Sequence, residues 1–251
     1  MERRIAFVTG AGAGIGAAIA ERLAEDGHHV IASDRDVDSA KEVAAKLTEL
    51  GYSAESLALD VGDTTSIDAA FDQVEREHGR CDILVNNAGV ATTFDFLDFP
   101  VDHWERTLRI NVTGPFHCSR RAARLMRDRN WGRIVNISSV SGLRAGVGRT
   151  AYGTSKSALN GLTRQIAVEL APFGITANAV APGPTETALA REVHTQTTRD
   201  ELCRLLPGGQ YGSPASIAAA VSFLASEGAD FVNGQVLPVD GGMTAAGVLR
   251  I

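Results

Sequence analysis

From its fifth residue the chain alternates short apolar runs with longer amphipathic stretches, and few folds accept that order. Residues 5–8 (Ile-Ala-Phe-Val), 30–33, 56–59, 83–85, 133–137, 175–180 and 235–239 read as strands. Between them, 15–26, 37–50, 65–78, 101–129 and 152–170 carry helical periodicity; Gly27 and Gly51 stop the first two, and Gly114-Pro115 interrupts the fourth. Apolar strands joined through helices predict a parallel sheet covered on both faces. Right-handed crossovers then predict an α/β fold: a doubly wound parallel sheet of the Rossmann type in a three-layer α/β/α sandwich. Neither a Pro/Gly/Ser-rich linker nor an internal repeat divides the chain, so residues 1–251 are expected to form a single domain. The least regular stretch, about 184–212, follows a strand end and is expected to cover a ligand.

Composition narrows the function. A chain of 251 residues, 44% hydrophobic and 22% charged, can bury a core without staples. A net charge of −6 with no basic stripe argues against a nucleic-acid partner. The apolar runs are too short to span a bilayer, and the N-terminus lacks the apolar length of a secretion signal. Three cysteines, Cys81, Cys118 and Cys203, are widely spaced without a Cys-x-x-Cys, which suits reduced thiols in a cytoplasmic setting. The Asn-x-Ser/Thr triplets at Asn111 and Asn136 fall in a predicted helix and a predicted buried strand, and read as chance sequons. The histidines show no chelating spacing: His28 and His29 diverge as neighbours on an extended chain, His78 closes a helix, and His103 and His117 lie far apart. No catalytic metal is expected.

The first strand passes into its helix through residues 9–16, Thr-Gly-Ala-Gly-Ala-Gly-Ile-Gly. Glycines let a backbone approach a pyrophosphate closely, and the helix N-terminus supplies amides and partial positive charge. Counted from Gly10 and Gly12, a Gly-x-Gly-x-x-Gly pattern fails at Ile15; counted from Gly12 and Gly14, only the looser form ending at Ala17 fits. No Lys-Ser/Thr follows, so this is not a P-loop. The turn reads as Thr-Gly-x-x-x-Gly-Ile-Gly. Asp34 ends the second strand, where a carboxylate accepts hydrogen bonds from ribose hydroxyls and repels a 2′-phosphate. That favours NAD over NADP, although Arg35 follows it directly.

Tyr152 and Lys156 stand four residues apart in a predicted helix, so they face the same way. A phenol titrates near pH 10, roughly, and a nearby ammonium is expected to lower that value. Such a couple can move a proton on or off an alcohol oxygen. Ser139 lies thirteen positions before the tyrosine, and Asn111 further upstream.

These motifs, in this order over nearly the whole chain, resemble the short-chain dehydrogenase/reductase family in its soluble branch of about this length. The glycine turn resembles that family's TGxxxGIG, which implies cofactor contacts at Gly10, Gly12, Ala13, Gly14, Ile15 and Gly16. Asp60-Val61 resembles its adenine-side pair, and the segment 86–89, Asn-Asn-Ala-Gly, its NNAG. By that resemblance Asn87, Ala88 and Gly89 contact the cofactor, with Asn87 toward the adenosine ribose and Asn86 holding sheet and loop together. Asn111, Ser139, Tyr152 and Lys156 match the catalytic tetrad. Residues 182–187 resemble the stretch beside the nicotinamide, giving Pro182, Gly183, Thr185 and Thr187 as contacts; Thr185 departs from the usual Ile or Val. Residues 232–235 and 239–242 are similar to the C-terminal signature.

The implied roles are these. Ser139 orients the substrate oxygen, and Tyr152 exchanges the proton. Lys156 holds the nicotinamide ribose, and Asn111 helps hold a water linking Lys156 to solvent. Hydride passes between substrate carbon and nicotinamide. The leading reading is an NAD-dependent oxidoreductase acting on a small-molecule secondary alcohol or ketone. The alternative is an NADPH-dependent 3-oxoacyl-thioester (acyl-carrier-protein) reductase: Arg127 and Arg129 suit an acidic carrier, whereas Pro172-Phe173 offers no charge. A distant third is a non-catalytic NAD-binding protein. Leu143, Arg144, Val147 and the segments 91–96 and 188–206 are expected to shape the pocket, with Arg144, Arg191 and His194 suited to an anionic or polyol substrate if turned inward. The family also implies a homo-oligomer, a tetramer, with the apolar segment 243–251 able to pack on a partner subunit.

Overall fold

The computed structural model of the protein describes residues 3–247; residues 248–251 of the apolar C-terminal segment lie outside the described residues. The chain runs β1 (Ile5–Thr9), α1 (Gly14–Glu25), β2 (His29–Asp34), α2 (Val37–Glu49), β3 (Ser53–Ala58), α3 (Thr64–His78), β4 (Ile83–Asn86), α4 (Val101–Leu108), α5 (Gly114–Arg127), β5 (Gly132–Ile137), α6 (Thr150–Leu170), β6 (Ile175–Pro182), α7 (Ala188–Val193), α8 (Gln196–Leu205), α9 (Pro214–Ala225) and β7 (Val236–Val239). The strands form one parallel sheet in the order β3-β2-β1-β4-β5-β6-β7. Strand order reverses between β1 and β4, so a crevice opens beyond the carboxyl ends of those two strands. No helix among the described residues is long and apolar enough to cross a membrane.

Alternate residues of each strand feed opposite layers. Phe7, Ile31, Leu84 and Ile134 pack toward Ile67, Phe71 and Val74 of α3 and Cys118, Ala122 and Met126 of α5. Val8, Val30, Val85 and Val135 pack toward Ile19 and Leu23 of α1 and Ile217, Val221 and Leu224 of α9. Phe7 stacks on Phe71 with ring centroids 5.0 Å apart. Full burial of each such side chain contributes about 1.5–3 kcal/mol, so the apolar content read from sequence is spent on both faces of the sheet.

Three expectations on secondary structure change. The third strand starts at Ser53 rather than 56, because β3 pairs with β2 from His29↔Ser53 onward. As the edge strand it is solvated on one side, so its alternating polar residues hide it from an apolar-run reading. The helix expected over 101–129 is two helices joined by a π-helical turn, Arg109–Thr113. Pro115 has no N–H to return to the carbonyl of Asn111, and Gly114 bonds back to Arg109 instead. A side chain at Gly114 would stand 2.5 Å from the Val61 carbonyl oxygen, so the small residue is required there. The stretch 184–212 is not irregular: it holds α7 and α8, and a parallel bridge between Thr185 and Gly212 closes the excursion.

Candidate active site

At the carboxyl edge of the sheet lies a cleft of about 500 Å³. Its wall carries Gly10, Ala13, Gly14, Ile15 and Gly16 from the glycine turn, Asp34 from the end of β2, and Asp60 and Val61 beyond β3. It carries Asn87, Ala88 and Gly89 after β4, then Ser139, Tyr152 and Lys156, and then Pro182, Gly183, Thr185 and Thr187 after β6. The structure thus brings together all the catalytic and cofactor-binding residues expected from sequence except Gly12 and Asn111, which do not line the cleft; of the residues expected to shape the substrate pocket, Ala91 and Ala188 line it, whereas Leu143, Arg144 and Val147 do not.

The turn after β1 is held from behind. Thr9 Oγ1 accepts from the amides of Asn87 and Ala88, each at 3.0 Å. Asn87 Nδ2 donates to the carbonyls of Thr9 and Gly10 at 3.0 and 2.9 Å. The Asn87 side-chain nitrogen thus holds the glycine turn, and the residue also lines the cleft. Asn86 ties the sheet to α5, donating to Ser119 Oγ at 3.0 Å and to Asn136 Oδ1 at 2.8 Å.

The turn fits a dinucleotide on its own geometry. Gly10 and Gly14 take φ values of 64° and 58°, in the left-handed region. A Cβ on Gly16 would lie 2.0 Å from the Gly10 carbonyl oxygen. The N-cap of α1 is Ala13, which offers no side-chain hydrogen bond, so the first amides of the helix are left for an anion. Asp34 is half-buried; its Oδ2 accepts from Gly12 N at 3.1 Å and its Oδ1 from Asp36 N at 3.0 Å. Those bonds fix the carboxylate at the cleft wall beside the turn. Asp60 is fixed likewise, its Oδ1 accepting from Gly62 N at 2.8 Å.

Ser139, Tyr152 and Lys156 converge on the other side. Ser139 caps the 3-10 turn Val140–Gly142, its Oγ accepting from Ser141 N at 3.1 Å. The Lys156 ammonium donates to the Ile137 carbonyl at 2.8 Å and stands 5.7 Å from the Tyr152 ring. Asn111 is fully buried, and its side chain holds the loop after β4. Nδ2 donates to the Val90 carbonyl and to Ser155 Oγ, and Oδ1 accepts from Val90 N. The side chain is therefore a brace, and the π turn that carries it is the local distortion beside the site.

The electrostatics differ from the sequence expectation. Burial pushes the Tyr152 phenol above its ordinary value, against the pull of the Ser139 hydroxyl and the charge of Arg149. Burial also brings Lys156 down to about 8. Desolvation is the largest influence on the phenol, and the Lys156 ammonium expected to lower it is not among the groups that act on it. Arg149 is the cation that bears on it, 5.6 Å from the ring. Sequence reading passed over Arg149; its signal was a place three residues before Tyr152 at the start of α6, on the same helix face. Two arginines suited to an anionic substrate only if turned inward are engaged elsewhere: Arg144 donates to the Thr244 carbonyl, and Arg191 pairs with Glu186 at 2.8 Å. His194 bonds Tyr211 at 3.0 Å, and burial, then the charges of Arg149 and Arg199, lower its pKa.

The buried lysine predicts a stability effect of known sign. Lys156 titrates at 10.5 in an unfolded chain and at about 8 in the fold, so between those values the unfolded chain binds more protons and stability rises with pH. Below about 8 the buried charge costs its full amount, about 3 kcal/mol for a displacement from 10.5 to about 8. Lys156→Met is expected to gain relative to the wild type at pH 7 and to lose about 3 kcal/mol of that advantage by pH 11. Denaturant unfolding of both proteins at the two pH values checks this; a difference that does not change with pH refutes it.

A tyrosine, a lysine and a serine gathered on the cleft that also carries the glycine turn, at the carboxyl edge of a parallel sheet, match the nicotinamide-dependent Rossmann oxidoreductases as a class. A family model described as enoyl-(acyl carrier protein) reductase matches residues 10–244, and the chain belongs to the short-chain dehydrogenase/reductase family. It is 39% identical over 97% of its length to the 3-oxoacyl-[acyl-carrier-protein] reductase FabG of Aquifex aeolicus, covering 98% of that relative. It is 36% identical to the uncharacterized oxidoreductase YxjF of Bacillus subtilis, over 98% of this chain and 100% of that one. Among solved structures, a gluconate 5-dehydrogenase from Burkholderia cenocepacia in complex with NADP and tartrate superposes with a TM-score of 0.94. Identity there is 38%, covering 98% of this chain and 97% of that one.

Proposed function

We propose that this oxidoreductase transfers hydride between NAD and a small secondary alcohol or ketone bearing an anionic group. The observation that carries the reading is the convergence of Ser139, Tyr152 and Lys156 on the cleft that also holds the glycine turn and Asp34. The bound nicotinamide supplies the hydride chemistry. Tyr152 takes the hydroxyl proton in alcohol oxidation and returns it in ketone reduction. Ser139 holds the substrate oxygen against the phenol. Lys156, anchored on the Ile137 carbonyl, keeps a positive charge beside the ribose when protonated.

Asp34 supports NAD, because a carboxylate at the end of the second strand accepts from ribose hydroxyls and repels a 2′-phosphate. The Burkholderia relative described with NADP supports the other cofactor, and Arg35 on the same wall is the residue that would serve it. Asp34 outweighs Arg35 in this reading, since Asp34 is fixed by two hydrogen bonds while Arg35 is exposed. Arg149 supports an anionic substrate: it stands beside the Tyr152 ring and makes no ion pair among the described residues. The same relative was described with tartrate, a hydroxy diacid.

The second reading is a 3-oxoacyl-thioester reductase, favoured by the relatives so named at 37–39% identity. Initial rates with NAD(H) and NADP(H) over secondary alcohols, polyhydroxy acids and an acetoacetyl thioester separate the two. Turnover confined to the thioester with NADPH overturns the first. On the first reading, Arg149→Gln raises KM for acid substrates about tenfold while changing KM for neutral alcohols little, the loss of one charge-assisted contact. Equal KM effects on both substrate groups would remove the anionic group from the proposal.

A further inference from the structure

At the end of the sheet opposite the cleft, three side chains from three elements meet. His29 opens β2, Glu55 lies on the edge strand β3, and His78 ends α3. Their ligand atoms all fall within 4.8 Å of one another. His78 Nε2 is 2.6 Å from Glu55 Oε1, and His29 Nε2 is 3.6 Å from the same oxygen. His29 Nε2 is buried without a hydrogen-bond partner. The cleft is about one strand length away, since β2 begins at His29 and ends at Asp34.

We propose that His29, Glu55 and His78 form a divalent transition-metal site, best suited to Zn²⁺. Two imidazoles and a carboxylate make a mixed N/O donor set that zinc accepts, with a fourth position left for water. Zinc–ligand bonds of about 2.0–2.2 Å in a tetrahedron place neighbouring donors about 3.3–3.5 Å apart. The His29–Glu55 distance of 3.6 Å already meets that spacing, and the His78–Glu55 contact of 2.6 Å must open slightly.

The surroundings prepare His29 as a ligand. Its Nδ1 lies 2.8 Å from Ser53 Oγ, the residue paired with it in the β2–β3 register. With Nδ1–H donating to that hydroxyl, the Nε2 lone pair is left facing Glu55 and His78, the arrangement by which a second hydrogen bond orients a metal-bound imidazole. His78 now donates Nε2–H to Glu55; on metal binding that proton leaves to Nδ1 or to solvent, and the freed lone pair binds the ion. A bound ion would clamp the edge strand β3 to β2 and to the end of α3. Sequence spacing gave no sign of it, because the ligands stand 26 and 23 residues apart and only the fold brings them together.

The test uses the full-length protein after chelator treatment and dialysis. Zn²⁺ titrated calorimetrically is expected to bind at about one ion per chain and to raise the melting temperature. Co²⁺ is expected to give the visible bands of a tetrahedral site. Glu55→Gln and His78→Ala should each weaken Zn²⁺ binding by more than about tenfold, and Ser53→Ala by about tenfold through the orientation of His29. Retained nicotinamide-dependent turnover or a native circular dichroism spectrum shows that each variant is folded. Glu55→Gln, nearly isosteric, serves if the alanine variant does not fold. Absence of Zn²⁺ binding to the wild type, or binding that survives all three substitutions, overturns the proposal. None of these residues lines the cleft, so the outcome is independent of the proposed hydride transfer.

Discussion

Tyr152→Phe is expected to lower kcat about 10³-fold and leave the dissociation constant of the nicotinamide cofactor within about twofold, a loss in the range for removing a general acid–base. The substitution deletes one hydroxyl from a half-buried ring on a stable helix, so α6, which also carries Lys156, keeps its place. The elevated phenol adds a directional consequence. Ketone reduction needs Tyr152 protonated and is favoured over the whole range below its raised pKa, whereas alcohol oxidation needs phenolate and climbs with pH toward that value. Single-turnover rates of both directions against pH, for wild type and Tyr152→Phe, check both parts. A variant retaining more than about one tenth of the wild-type rate would remove Tyr152 from proton transfer.

Asp34→Ser is expected to move the ratio of kcat/KM for NAD over NADP by about 100-fold toward NADP, near 2.7 kcal/mol. In the wild type a 2′-phosphate would face the Asp34 carboxylate at the cleft wall, and like charges in contact cost several kcal/mol. Serine removes that repulsion, keeps a short polar side chain near Gly12 N, and leaves Arg35 free to meet the phosphate. Steady-state kinetics with both cofactors decide it. An unchanged ratio, or a wild type that already prefers NADP, places cofactor choice elsewhere in the cleft.

Much of this site was legible because its chemistry is carried by local patterns. The glycine turn needs left-handed backbone at Gly10 and Gly14 and no Cβ at Gly16, and each is a demand on one residue type at one position. Tyr152 and Lys156 share a helix face by spacing alone. Asp34 could be placed because an apolar strand ends on it. Other features depend on what lies across space. The Asn87 amide turns to the Thr9 and Gly10 carbonyls because β1 and β4 are sheet neighbours, which their separation in sequence does not reveal. Arg144, suited to an anionic substrate only if turned inward, reaches Thr244, a residue 100 positions away.

The sequence by itself determined the alternating parallel sheet, the glycine turn and the shared helix face of Tyr152 and Lys156, since backbone conformation and helical periodicity are set within a few residues. Tertiary structure decided the charges and the distant pairings. It raised Tyr152 and lowered Lys156, because the free energy of a charge depends on the water removed around it by residues far along the chain. It released Asn111 into a brace, set Arg149 beside the phenol, and gathered His29, Glu55 and His78 at the far end of the sheet.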